Sequence, residues 1–246
     1  MSRHDISDEK WAIIGPMLAK AGTETRGRKR KDDRLIFNAI LWIMKTGAPW
    51  RDLHPEFGPW NTVHKRFLEW ARLEVWNDIL RMLSINADPE AIIIDATFIR
   101  YRRKRGHFNQ KVGRSKGGLT TKVPAFVYSL GNPLRIHLTA GNVNDIVPAC
   151  DLIEGLLADK LLADRAYDVN KLLALAERQN HEVVIPPVPG RLVQREYDIH
   201  AYKERHLVEC FFAKLKSFRR VATRYDKLAI TFKATVMLAA CLVWLQ

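Results

Sequence analysis

A chain of 246 residues, 47% of them apolar, is long enough for one large domain or two smaller ones with a sizeable core. Against 27 Asp and Glu stand 40 Lys and Arg, a net charge of +13 that points to a polyanionic partner, most simply nucleic acid. Cys150, Cys210 and Cys241 are odd in number and scattered, which argues against a disulfide framework or metal knuckle; with a polar start and no apolar run long enough for a bilayer, they read as buried free thiols of a cytoplasmic protein.

Residues 1 to about 88 read as helical. Trp11, Ile14 and Leu18 repeat at helical spacing behind Ser7, with Asp8 and Glu9 in the first turn. A basic connector from Gly22 to Lys31 follows. Asp32 or Asp33 caps a second helix with Ile36, Ile40 and Ile43 inward, which Gly47 and Pro49 end. A third helix after Gly58-Pro59 turns Val63, Phe67 and Trp70 inward and presents Asn61 and Lys65 outward. A small all-helical domain of this kind suits a helix-turn-helix-like DNA reader, with the third helix as the groove-facing element.

The pattern changes at Asn86 to Glu90, which sets domains at 1–88 and 89–246. The run Ala91-Ile92-Ile93-Ile94 predicts a buried strand that delivers Asp95 at its end. Leu119 to Leu130 and Leu134 to Thr139 read as a hairpin around Gly131-Asn132-Pro133. Asp145 begins a helix, and Lys160 to Asp164 is a short strand again ending in a carboxylate. A helix from about Val169, a strand from His181 to Ile185, a polar loop and two late helices complete a mixed α/β sheet protein.

The first late helix carries Tyr202, Arg205, Glu209 and Lys216. At about 100° per residue all four fall within roughly 60° of one another, opposite Val208, Phe211, Phe212, Leu215 and Phe218. Asp95, Asp164 and Glu209 are thus three carboxylates delivered by apolar elements, and converging carboxylates are the hard oxygen ligands that Mg²⁺ or Mn²⁺ prefer. Two such ions about 4 Å apart can cleave a phosphodiester. Each carboxylate alone has an ordinary reading: a turn cap, or for Glu209 a pair with Arg205. The charge pattern tips the balance. From Asp95 to Lys122 no acidic residue follows the aspartate, while nine cations do: Arg100, Arg102, Arg103, Lys104, Arg105, Lys111, Arg114, Lys116 and Lys122. A phosphate backbone lying there accounts for such one-sidedness. Asp145 reads as a helix cap, and Asp168 as a helix start or a support for Asp164.

These residues resemble the DDE transposases of bacterial insertion sequences. Asp95, Asp164 and Glu209 match the triad in order and setting, and the late helix reads Tyr-x2-Arg-x3-Glu-x6-Lys, the signature segment of that superfamily. Arg219 to Leu228, Gly113 to Lys122 and Gly47 to Leu53 are similar to segments of the insertion-sequence "five" family. Ala166 departs from it, standing where the family often has Gly. The resemblance implies an RNase H-like catalytic domain without the large β-rich insertion of some relatives. It also implies that Asp95, Asp164 and Glu209 hold two Mg²⁺ or Mn²⁺ ions. Tyr202, Arg205 and Lys216 would contact DNA, with Arg114, Lys116, Lys122, Arg102, Arg103, Arg105, Lys65 and Asn61 as further contacts. The implied partners are double-stranded DNA, as terminal inverted repeats and target, and further copies of the chain in a homodimer or larger assembly. The implied reaction frees 3′-hydroxyls at the element's ends and joins them to target DNA. A metal-dependent nuclease on the same fold and a non-enzymatic DNA-binding regulator are the alternatives.

Overall fold

The computed structural model describes residues 4–21, 31–87, 90–102, 110–192 and 194–246. Four helices come first: α1 (Asp8–Lys20), α2 (Asp33–Thr46), α3 (Trp60–Arg72) and α4 (Val75–Leu83). Then follow β1 (Ala91–Tyr101), β2 (Gly113–Ser115), β3 (Gly118–Tyr128), β4 (Pro133–Ile136) and β5 (Thr139–Ala140). After α5 (Ile146–Ile153) come β6 (Lys160–Leu162), α6 (Asn170–Arg178) and β7 (Glu182–Val184). The last helices are α7 (Ile199–Lys203), α8 (His206–Lys216), α9 (Arg219–Ala222) and α10 (Ala229–Trp244). None of the described helices is long and apolar enough to cross a membrane.

Two compact units result: Met1–Leu83 together with Leu215–Gln246, and Ser84–Lys214. The sequence reading drew a single boundary at 88/89, which falls outside the described residues, and gave the last helix to the second domain. The structure instead packs α10 against α3 and α4. Its physical reason is composition. Phe232, Ala234, Met237, Leu238, Ala240 and Cys241 are buried around its whole circumference, and a helix apolar on every side needs neighbours on every side.

In the helical unit, Ser7 and Asp32 cap α1 and α2 as their residue types predict, each accepting a backbone N–H of the first turn. Gly47 ends α2 with φ of 71°, and its N–H bonds the Ile43 carbonyl. The connection from α2 to α3 contains two 3₁₀ turns, Trp50–Asp52 and Pro55–Phe57, so it is not the three- or four-residue turn of a helix-turn-helix. Two segments singled out in the sequence meet here. Arg220 donates to the Asp226 carboxylate at 3.0 Å and to the Ala48 carbonyl at 3.4 Å. Arg224, fully buried, donates to the Asp226 carbonyl at 3.0 Å and lies over the Phe232 ring.

The sheet unit has strand order β2-β3-β1-β6-β7. One side of β3 pairs antiparallel with β1 from Thr120 to Tyr128. Its other side takes β2, β5 and β4 in succession. β1, β6 and β7 run parallel. An antiparallel meander continued by parallel strands through helical crossovers is the RNase H-like arrangement. Ile92, Ile94, Phe126, Leu161 and Ala163 form one core with Ala149 and Ile153 of α5 and Leu172 and Ala176 of α6. Cys150 and Cys241 are buried as expected, whereas Cys210 is exposed on α8.

Candidate active site

Strand alternation places the two aspartates. Ile92, Ile94, Leu161 and Ala163 face the α5–α6 layer, so Asp95 and Asp164 point to the opposite face of the sheet. The parallel register of β1 and β6 ends at Ile93 and Leu162, and each aspartate lies two residues beyond its partner of that pair. Neighbouring strands are about 4.8 Å apart, so the two carboxylates stand side by side. Asp95 is not at a strand end, as the apolar run suggested. β1 continues to Tyr101 because β3 keeps pairing with it, and Asp95 is uncovered where β6 stops.

Backbone amides aim both side chains. The Ala96 N–H donates to Asp95 Oδ1 at 2.7 Å. The Ala166 N–H donates to Asp164 Oδ1 at 2.8 Å, which makes Asp164 the cap of a 3₁₀ turn over Arg165–Tyr167. Ala166 is not among the described non-glycine residues with positive φ, so the family's glycine is not needed for the backbone here.

The signature segment is not one helix. α7 ends at Lys203 and α8 starts at His206; between them the N–H groups of Arg205, Leu207 and Val208 bond carbonyls three residues back. The tighter turn takes Arg205 out of the regular stripe. Its guanidinium donates to Asp95 Oδ2 at 3.3 Å and to the Glu209 carboxylate. Two carboxylates distant in sequence, Asp95 and Glu209, thus share one cation, with Asp164 close enough to act on Asp95 through its charge. Burial pushes the Asp95 carboxyl above its ordinary range, and the charges of Asp164 and Glu209 add to this. The Ala96 amide and Arg205 pull the other way without cancelling it. Burial opposes the Arg205 charge, but Glu209 and Asp95 more than offset it and hold its pKa above the ordinary value.

Carboxylate oxygens suit Mg²⁺ or Mn²⁺, and on register and donor chemistry Asp95 and Asp164 fit as ligands. Glu209 reaches Asp95 only through the Arg205 guanidinium. Among the described residues no three His, Cys, Asp or Glu side chains converge closely enough to hold a metal by themselves.

The other expected contacts divide. Tyr202 is half-buried and packs edge-on against Tyr197. Arg102, Arg114 and Lys116 are exposed; Arg114 sits on β2 and Lys116 in the turn to β3. Asn61 and Lys65 are exposed on α3 of the helical unit. Lys216, also of that unit, is the last residue of α8, and burial lowers its pKa. Arg103 and Arg105 lie outside the described residues. Lys122 is a correction: it is 5% exposed, its ammonium bonds the Val143 carbonyl and pairs with Asp145 at 2.8 Å. It therefore cannot offer its charge to a phosphate. Asp145 in turn makes no side-chain cap on α5; the Asn144 side chain accepts the Ile146 N–H instead.

Asp168 has a role that the residue pattern did not reveal. Its buried carboxylate accepts from the Val188 N–H at 2.8 Å, from Arg191 at 2.9 Å and from Arg195 at 2.8 Å. It ties down the loop before α7 rather than starting α6 or supporting Asp164. Two arginines in a polar loop, with no acidic neighbour between them, were the signal that could have found it.

Residues 86–244 match the family model "Transposase DDE domain", and residues 6–80 match "Putative transposase of IS4/5 family". The chain is 40% identical over 130 residues to the "Putative transposase for insertion sequence element IS6501" of Brucella ovis, covering 52% of this chain and 100% of that protein. It is 34% identical over 88 residues to the "Insertion element IS402 uncharacterized 16.2 kDa protein" of Burkholderia cepacia, covering 34% of this chain and 60% of that protein. Among solved structures, a piggyBac transposase synaptic complex with hairpin DNA matches at 10% identity and a TM-score of 0.40, over 76% of this chain and 50% of that one. The chain thus spans half the length of that transposase. A Mos1 transposase paired-end complex matches at 12% identity and a TM-score of 0.29, over 91% of this chain and 79% of that one.

Proposed function

We propose, since the chain belongs to the DDE transposase family, that it binds the terminal inverted repeats of its own insertion sequence, cuts the ends and joins the freed 3′-hydroxyls to target DNA. The observation that supports this reading is the placement of Asp164 beside Asp95 by the parallel register of β1 and β6, with Arg205 joining Asp95 to Glu209.

Asp95 and Asp164 would hold divalent ions between adjacent strands, and Glu209 would complete the set from α8. When bound, the ions supply Lewis-acid activation of the attacking oxygen and stabilise the leaving one. Arg205 would hold a phosphate beside the scissile bond with two parallel N–H donors, and Lys216 of the helical unit would contact DNA as a point charge. Tyr202 would contact DNA through its ring or hydroxyl. Arg102, Arg114 and Lys116 would follow the backbone away from the cut, and neutralising several phosphates makes such binding strongly salt-dependent. Asn61 and Lys65 on α3 would contact the repeat from the helical unit. Joining two ends requires two sites, so the working form would be a dimer or larger assembly on DNA.

The test is end cleavage and strand transfer with a duplex carrying the element's terminus. Asp164→Asn should bind this duplex as the wild type does and lose both steps. Cleavage at the wild-type rate by Asp164→Asn would remove the site assignment. Cleavage by the wild type without any transfer of a pre-cut end would leave a nuclease.

A further inference from the structure

Arg205 has two uses that exclude one another. Its Nη1 and Nη2 groups are spent on Asp95 Oδ2 and on Glu209. A divalent ion between these side chains would draw on Asp95 Oδ2 and Glu209, the acceptors that Arg205 holds, while Asp95 Oδ1 and Asp164 Oδ1 each already accept one backbone N–H. A guanidinium and a doubly charged ion a few ångströms apart also repel each other. An i,i+4 pair of Arg205 with Glu209 would alone be unremarked on a helix surface. The second partner, Asp95, comes from the central strand, and half-burial of the arginine fixes the choice of acceptors.

We infer that Arg205 is a displaceable internal counter-ion, which couples divalent-ion binding to DNA binding. This rests on the reading of Asp95, Asp164 and Glu209 as the metal site. Without an ion, Arg205 partly offsets the charges of Asp95 and Glu209 and links the two side chains. An arriving ion takes over their oxygens and releases the guanidinium. The released fork of donors then meets a DNA phosphate, whose oxygens can accept both of its N–H groups. Its place favours such a swing, since Arg205 lies in the turn between α7 and α8 and not inside either helix. Coupling of two ligands is reciprocal, so DNA must strengthen ion binding by the factor by which the ion strengthens DNA binding.

Three measurements on the full chain test this. Mn²⁺ binding without DNA, followed by the electron paramagnetic resonance of free Mn²⁺, should be tightened about fivefold or more in Arg205→Gln. Duplex affinity of the wild type, measured with an uncleavable phosphorothioate duplex, should rise by a comparable factor with Ca²⁺, and Arg205→Gln should lose that dependence. Arg205→Lys, should the glutamine variant fail to fold by circular dichroism, keeps the charge without the fork and should show the same directions at smaller size. Unchanged or weaker Mn²⁺ binding in the folded variant, or an undiminished Ca²⁺ effect on DNA, would overturn the inference. Asp95→Asn separates the two levels. Loss of Mn²⁺ binding there upholds the metal site whatever Arg205 does, whereas wild-type Mn²⁺ affinity there sinks the metal site and the inference together.

Discussion

Asp95 and Arg205 are 110 residues apart in sequence, yet a guanidinium nitrogen of one lies 3.3 Å from a carboxylate oxygen of the other. The contact does not fully compensate Asp95. Burial and the neighbouring carboxylates leave its pKa raised, so the proton binds the folded protein more tightly than the unfolded chain. The sign follows: stability from this group is present below the unfolded value of about 3.9 and is lost as pH rises through the folded value. Asp95→Asn cannot ionise. Its melting temperature at pH 7 should exceed that of the wild type by a few °C, roughly 2–4 °C for each kcal/mol recovered. The gain should vanish near pH 3, where the wild-type carboxyl is itself protonated. A lower melting temperature at pH 7 would mean that Arg205 outweighs burial. Catalysis should be lost in either case.

Lys122 and Arg114 belong to the same basic stretch and should behave oppositely. Lys122→Ala leaves Asp145 without its cation and should cost about 3–5 kcal/mol in denaturant unfolding. Arg114→Ala, on the exposed β2 edge, should stay within about 0.5 kcal/mol of the wild type. In DNA binding it should reduce the slope of log affinity against log salt by about 1. Equal stability of the two variants would contradict the burial of Lys122.

Asp168 fastens the loop that precedes α7. Burial pushes its carboxyl up, but the Val188 amide, Arg195 and Arg191 together outweigh that and hold it below the usual range. Its stabilisation is therefore present above about pH 4 and fades as pH falls through the folded value. Asp168→Ala should lose about 2–3 kcal/mol at neutral pH. Limited proteolysis should then nick the chain between 186 and 195, with wild-type protein gaining the same sensitivity only in acid.

Gly47 holds a φ of 71°, and a Cβ added there would meet the Cβ of Arg219. Gly47→Ala should destabilise the helical unit by about 1–2 kcal/mol through the left-handed backbone alone. Thermal unfolding should show a melting temperature lower by roughly 2–8 °C. An unchanged melting temperature would refute the left-handed conformation of Gly47.

Much of the site was legible before any coordinates. Two apolar runs, each followed by an aspartate, sufficed to place Asp95 and Asp164 after buried strands, because β-branched runs report their own burial; that the strands are neighbours came from the register. Tyr202, Arg205, Glu209 and Lys216 stood out by spacing alone. What escaped depended on pairing between distant segments. The length of β1 is set by β3, so Asp95 looked terminal. Lys122 was counted with its charged neighbours because its partner, Asp145, is supplied only when β3 and the start of α5 come together. The break at Glu204-Arg205 was hidden because helical periodicity survives a single tightened turn.

The placement of α10 makes folding of the helical unit a late event in synthesis. Helices α1 to α4 leave the ribosome before α10, the helix that packs against α3 and α4. A nascent or prematurely terminated chain must therefore display the apolar faces of α3 and α4 to solvent, while the sheet unit between them and α10 can already close. Such fragments become substrates for chaperones and proteases, and a frame-breaking mutation far downstream of α3 removes the amino-terminal unit as surely as one within it.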